Sequence, residues 1–220
     1  MTAKEVITEE IPPLVHTDTG EKALLWMEEF KVSHLPVLKN GNFVGLISES
    51  DIFDQEDLEK SLDELFQHLP RPYVGVDAHI YEVLSKMEEH KISVLPILDE
   101  NEQYVGCTSV HQLMTMIANT GSIKEAGAII VIEMNRVDYS LSRIAQIVES
   151  DNGVVLSSYI MSSADTTKVE VTLKITGGEL GRILRSFERF DIVVKASFQR
   201  SSYEDDLQFR YDALMNYLKM

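Results

Sequence analysis

The sequence predicts an α/β chain of the α+β kind: a doubled helix–strand–strand–helix unit, a βαββαβ sandwich and a C-terminal helix. Three observations predict it. The stretch KVSHLPVLKNGNFVGLISESD (31–51) returns sixty residues later as KISVLPILDENEQYVGCTSVHQ (91–112). A second, shorter repeat, LSRIAQIV and LGRILRSF, recurs after 39 residues among four β-rich runs. Charge also steps along the chain. Residues 1–120 hold 8 Lys or Arg against 22 Asp or Glu, whereas residues 121–200 hold ten of each. A step of that kind places a domain boundary near residue 120.

The elements follow in order. Ala23, Trp26, Met27 and Phe30 fall at i, i+3, i+4 and i+7, one face of a helix. The run to LPVL, the Asn40-Gly41 pair and FVGLIS then read as a hairpin, because both central positions of a type I′ turn need positive φ. ESDIFD closes the first copy as a short helix. Between the copies, Leu58, Leu62, Leu65, Phe66 and Leu69 keep helical spacing until Pro70 and Pro72, which predicts a linker helix. The second copy repeats the series: Ile80, Val83, Leu84 and Met87 on a helix, LPIL, a DENEQ turn, YVGCTS, and the helix VHQLMTMI. One such unit leaves a sheet face bare, so two should pack together. Farther on, AIIVIEM, GVVLSSYI, KVEVTLKI and IVVKASFQ alternate with helices through Leu141, Ile144, Ala145, Val148 and through Leu180, Ile183, Leu184, Phe187. That order is a split βαβ, or ferredoxin-like, sandwich. Leu207, Tyr211, Leu214, Met215 and Leu218 give the final segment, 201–220, an apolar stripe that needs a partner.

Composition narrows the function. The net charge of −16 is unsuited to nucleic acid, which demands clustered cations. No apolar run reaches the roughly 18 residues of a membrane span, and the start does not resemble a secretory signal. A cytoplasmic protein is the expectation. One cysteine, Cys107, allows no internal disulfide and reads as core. The histidines at 16, 34, 68, 79, 90 and 111 form no His-x-His or His-x-x-x-His pair, so no metal site and no cofactor requirement is expected. No catalytic constellation is legible, and a non-enzymatic protein follows.

The doubled pattern of helix, Leu-Pro, Val-Gly and Ser-x-x-Asp resembles the CBS domain (cystathionine β-synthase type), which occurs as tandem pairs. The resemblance covers residues 1–119, with repeat one at 1–69 and repeat two at 70–119. It implies an adenosine-containing ligand, AMP, ADP, ATP or S-adenosylmethionine, in a cleft between repeats. In GLISESD it implies roles for Gly45, Ser48 and Asp51. The carboxylate would take the ribose hydroxyls, and the hydroxyl would face the phosphate. Adenine would lie against Val32, His34 and Pro36. The second copy retains Ser109 and Pro96 but has Gln112 where the family has Asp, so at most one site is intact by motif. Lys31 and Lys91 stand where the family often has Gly. Ser48 and Asp51 also spell an ordinary helix cap, an equally good reading of the same spacing.

Residues 124–200 resemble an ACT-like domain, and the domain order resembles acetoin-utilisation-type regulatory proteins. That resemblance implies an amino-acid ligand at the first strand-to-helix loop. Here the loop reads NRVDYSLS and lacks the glycine that lets a backbone approach such a ligand. Asp138 or Ser140 would instead cap the next helix and the module would serve assembly. A homodimer is expected, with an unidentified protein partner for the regulatory output. The competing expectation is a scaffold that binds no ligand.

Overall fold

The structure, a computed structural model, describes residues 1–65, 68–162 and 166–199. Two compact units divide the chain, Met1–Ile117 and Ala118–Met220.

The first unit opens with a 3-10 turn, Ala3–Val6, then β1 (Leu14–Val15), α1 (Gly20–Phe30), β2 (His34–Lys39), β3 (Asn42–Ser48) and α2 (Glu49–Phe53). It continues with α3 (Leu62–Leu65), β4 (Val74–Gly75), α4 (Ile80–His90), β5 (Val94–Leu98), β6 (Tyr104–Ser109) and α5 (Val110–Ala118). Helix α1 is capped by Thr19, whose side chain accepts the Lys22 N–H, and it buries Ala23 and Met27. Helix α4 buries Ile80, Val83 and Met87. Both helices end in a left-handed residue, Lys31 at φ 55° and Lys91 at φ 53°. That conformation favours glycine and is where the CBS pattern often has it.

Each half builds a three-stranded sheet, β1-β2-β3 and β4-β5-β6. The first hairpin turns on Asn40 (φ 52°) and Gly41 (φ 83°), as the Asn-Gly pair predicts. In the second, the Asp99 carboxylate accepts the N–H groups of Asn101 and Gln103. The pairing register repeats with the sequence. Leu14 faces Val37 and Val74 faces Ile97, and a bulge follows Val37 and Ile97 alike. Pro36 and Pro96 sit just ahead of the residues that pair with β1 and β4, where no N–H is wanted.

Two contacts fix how the halves face each other. Ser33 pairs with Ser93, its N–H donating to the Ser93 hydroxyl at 2.9 Å. Phe43 stacks on Tyr104, ring centroids 6.4 Å apart. In the repeat alignment each pair joins equivalent positions, and equivalent residues meet only on a two-fold axis. The halves therefore pack as a pseudo-symmetric pair, and each core borrows from the other. Leu46 belongs with the second-half cluster of Val74, Val83, Leu95 and Ile97, whereas Val94 and Cys107 belong with the first-half cluster of Leu14, Met27, Leu35 and Ile47.

The segments leading into the two halves are exchanged as well, Leu62–Leu65 standing to the second half as Ala3–Val6 stands to the first. Ala3 and Val6 bury in the second half's core; the Ala3 N–H donates to Ala78 O at 2.9 Å and the Lys4 N–H to Val76 O at 3.1 Å. Sixty residues on, Leu62 buries in the first half's core, its N–H donating to Asp18 O at 2.8 Å, and the Asp63 N–H donates to His16 O at 2.9 Å. The predicted linker helix is thereby corrected. Among the described residues only Leu62–Leu65 is helical there. Leu58 packs from a turn instead, its carbonyl accepting the Glu21 N–H. Phe66 lies outside the described residues.

The second unit contains β7 (Ala128–Asn135), α6 (Leu141–Ser150), β8 (Gly153–Ser162), β9 (Lys168–Gly177), α7 (Leu180–Arg189) and β10 (Val193–Gln199). The sheet order is β10-β7-β9-β8 with every pair antiparallel, the ferredoxin-like arrangement the βαββαβ order predicts. Ile130, Ile132, Val171, Leu173 and Ile175 alternate along the strands and pack on Ile144, Val148, Ile183 and Phe187 of the helices. Of the two cap candidates, Ser140 takes the role, accepting the Arg143 N–H at 3.4 Å, while Asp138 accepts from Asn135 instead. The stripe at Leu207, Tyr211, Leu214, Met215 and Leu218 lies outside the described residues. No helix among the described residues is long and apolar enough to cross a membrane.

Candidate functional site

The seam between the two repeats holds a cavity of about 460 Å³. Its walls come from three places: Glu29, Phe30, Lys31 and Val32 at the end of α1; Ser93, Ser109, Val110 and His111 from the second half; and Glu10 and Ile11 from the N-terminal crossing. The local fold explains each wall. The left-handed turn at Lys31 ends α1 and directs the chain through Val32 into β2. The Ser93 carbonyl accepts the Val110 N–H at 3.1 Å, tying the start of α5 to the segment before β5. Ser109 caps α5, its hydroxyl accepting the Gln112 N–H at 3.2 Å. Apolar surface from Phe30, Ile11, Val32 and Val110 thus meets charges from Lys31, Glu10 and Glu29 and the imidazole of His111. Small-molecule sites of about 300–1,000 Å³ commonly combine these features.

The sequence-predicted residues divide between this cavity and other roles. Val32 and Ser109 line it. Ser48 and Asp51 close on each other as a capping box. The Asp51 carboxylate accepts the Ser48 N–H at 3.0 Å and the Ser48 hydroxyl at 2.6 Å, and the Ser48 hydroxyl accepts the Asp51 N–H at 3.1 Å. Gly45 is buried under the inter-repeat linker. A Cβ there would collide with the Cβ of Leu69 and come within 3.0 Å of Pro70 O. Pro36 and Pro96 are buried in their strands. Gln112 gives its N–H to Ser109.

His34 lies on the seam. Its Nδ1 accepts the Ser93 N–H at 3.3 Å and stands 3.1 Å from the Ser33 hydroxyl and 3.2 Å from that of Ser93. A ring nitrogen that accepts from a backbone N–H carries no proton, so the neutral ring holds its proton on Nε2. Burial lowers the His34 pKa below the ordinary value, and Asp51 offsets part of that effect.

Cys107, fully buried, donates its thiol to Ile11 O at 3.7 Å, and burial pushes its pKa up to about 11. A thiol so placed is core rather than nucleophile. Beside it, the buried Thr108 hydroxyl has no hydrogen-bond partner. In the second unit a cavity of about 410 Å³ opens at the β7–α6 connection, lined by Asn135, Asp138, Ser140 and Arg143 with Phe190 and Asp191. Lys168 donates to Glu133 on its wall at 2.7 Å and holds that carboxyl below its usual range. No group of three or more His, Cys, Asp or Glu among the described residues could hold a metal ion.

Sequence reasoning missed Glu10, Ile11, Glu29, Phe30, Lys31, Ser93, Val110 and His111 as wall residues. Phe30 and His111 lie within two residues of the predicted Val32 and Ser109, whereas Glu10 and Ile11 carry no local signal.

Two pseudo-symmetric three-stranded halves with a cavity on their seam make a paired α/β module. Residues 3–56 and 66–119 each match the CBS domain, and this part of the chain is a tandem CBS-domain pair. Proteins carrying such pairs are regulatory and often bind adenosine-containing ligands. A homoserine O-acetyltransferase of Methanococcus vannielii is 25% identical over 119 residues, 52% of this chain and 24% of its own length. An inosine-5'-monophosphate dehydrogenase of Helicobacter pylori is 22% identical over 178 residues, 77% of this chain and 37% of its own. The chain thus spans well under half the length of these curated relatives. Among solved structures, one assigned to acetoin utilization from Vibrio cholerae is 24% identical with a TM-score of 0.50, and the match covers 57% of this chain and 96% of that one. A CBS domain pair/ACT domain protein of Thermotoga maritima is 26% identical with a TM-score of 0.48, covering 55% and 99%.

Proposed function

We propose that this is a non-enzymatic, cytoplasmic regulatory protein. Its CBS pair senses an adenosine-containing metabolite in the seam cavity, and its ferredoxin-like unit, of ACT type, mediates homodimer assembly or signal transmission. The observation that carries the reading is the cavity of about 460 Å³ walled by both repeats. A ligand there touches the two halves together, so it stabilises one relative arrangement over another, as a sensor requires. A coupling of about 1–3 kcal/mol is enough for regulation. Phe30 offers apolar ring surface to a base, and Lys31 offers a cation to a phosphate.

Calorimetric titration with AMP, ADP, ATP and S-adenosylmethionine tests it. At least one should bind wild type and fail to bind Val110→Trp, which fills the cavity from a half-exposed position. A compound present at 100 Kd should add about 2.7 kcal/mol to unfolding stability. The second reading is a dimeric scaffold that binds no ligand and modulates a partner protein. The capping box favours it, because Ser48 and Asp51 are already engaged with each other. Absence of binding by all four compounds would select the scaffold. Light scattering that gives a monomer mass at micromolar concentration would remove the dimer from either reading.

A further inference from the structure

The N-terminal strap belongs to both halves. Residues up to Thr8 are bound to the second: Ala3 and Val6 are buried in its core, Ala3 and Lys4 donate to Ala78 O and Val76 O, and the Thr8 N–H donates to Cys107 O at 2.9 Å. From Ile11 onward the chain belongs to the first, with Ile11 and Leu14 in its core and β1 paired to β2. The crossing between them is short, and its Glu10 and Ile11 form the third wall of the cavity. Two features show how closely the strap is held. A Cβ on Gly106 would come within 2.6 Å of the Ile7 Cγ2, and the Cys107 thiol is covered by Ile11 O. No other wall of the cavity is attached by so few residues. The other two are a helix end and a helix start, each continuous with a packed core, whereas the anchored part of the strap is a single 3-10 turn and two isolated bridges, Thr2 with His79 and Thr8 with Cys107. A segment held through one turn and two bridges can open locally without the rest of either core unfolding.

We propose that this strap is the element by which occupancy of the cavity is transmitted. The inference rests on the ligand reading above. A ligand in the cavity contacts Glu10 and Ile11 only while the strap is seated. Binding therefore draws the open–seated equilibrium toward seated, and anything that releases the strap lowers affinity by the same factor. Residues 3–8 then change exposure with metabolite level.

Amide exchange in the full chain reads this directly. The Ala3, Lys4 and Thr8 N–H groups are the anchor donors, and exchange at each requires release of the strap. With AMP, ADP, ATP or S-adenosylmethionine at 100 Kd, their exchange should slow about a hundredfold. Alkylation of Cys107, whose thiol donates to Ile11 O and whose backbone bridges to Thr8, should slow in parallel. Val6→Ala weakens the anchor without touching the cavity and should speed alkylation about tenfold in the free protein. Binding with unchanged exchange at these amides and unchanged Cys107 labelling overturns the strap inference and leaves the ligand reading in place. Binding by none of the four compounds overturns both.

Discussion

Gly45→Ala tests the inter-repeat packing most sharply. The family resemblance assigns this glycine to a ligand motif, but the structure gives it a packing reason. An added Cβ would collide with the Leu69 Cβ and stand 3.0 Å from Pro70 O and 3.1 Å from Leu69 O, two of them backbone atoms with little room to yield. Relief requires the linker to move away from β3, which breaks the 2.8 Å bond from the Leu46 N–H to Pro70 O. Overpacking costs about 1–3 kcal/mol and the lost hydrogen bond about 1 kcal/mol more, so the variant should lose about 2–4 kcal/mol. A unit of 117 residues unfolds with an entropy near 0.25 kcal/mol/K, which converts the loss to roughly 8–16 °C in Tm. Trp26, the sole tryptophan, sits on α1 and reports the first unit alone, so fluorescence-monitored melting isolates the effect. Gly75→Ala is the control, since a Cβ there meets nothing within 4 Å. Leu69→Gly removes the nearest clashing atom, and Gly45→Ala should cost less in that background. A fall of less than about 2 °C for Gly45→Ala would refute the packing argument.

Three further outcomes follow from the same geometry. Thr108→Val should raise stability by about 1–3 kcal/mol in urea titration, because it removes a buried hydroxyl without a partner; the first repeat has Ile47 at the matching place in the register. Lys91→Gly relieves a left-handed cap at the expense of a surface ion pair with Glu88, and should gain about 0.5 kcal/mol net. His34 sets a pH dependence. Its native pKa lies below the ordinary 6.5, so the unfolded chain takes up the proton first, and stability should fall as pH drops through that value. In His34→Gln that part of the acid dependence should vanish; an identical pH profile in wild type and variant would exclude His34 as its source.

Much of the fold is legible in the sequence because it is written twice. The sixty-residue repeat carries its own register, and Asn40-Gly41 and the split βαβ order each have one good solution. The site is less legible. Its walls, Phe30–Val32 and Ser109–His111, are nearly eighty residues apart and meet only through a pseudo-two-fold axis that no local pattern encodes. The motif that does stand out, Ser48 with Asp51, satisfies a helix end, and chemistry and capping share one spacing. The helical spacing in the linker has a related cause. Leu58, Leu62 and Leu69 are apolar because they cover the first core, which they do from a turn, a single helical turn and an extended stretch. The straps escape notice because a 3-10 turn with two buried residues leaves no periodicity to find.

The exchange of leading segments also carries a historical implication. Each half lends its first turn to its neighbour, so a gene encoding one copy would make a product whose core lacked its own cover. Two such products could satisfy one another only by trading arms, and joining them head to tail would preserve every contact while removing the need to meet. The present chain has the form such a fusion would leave behind.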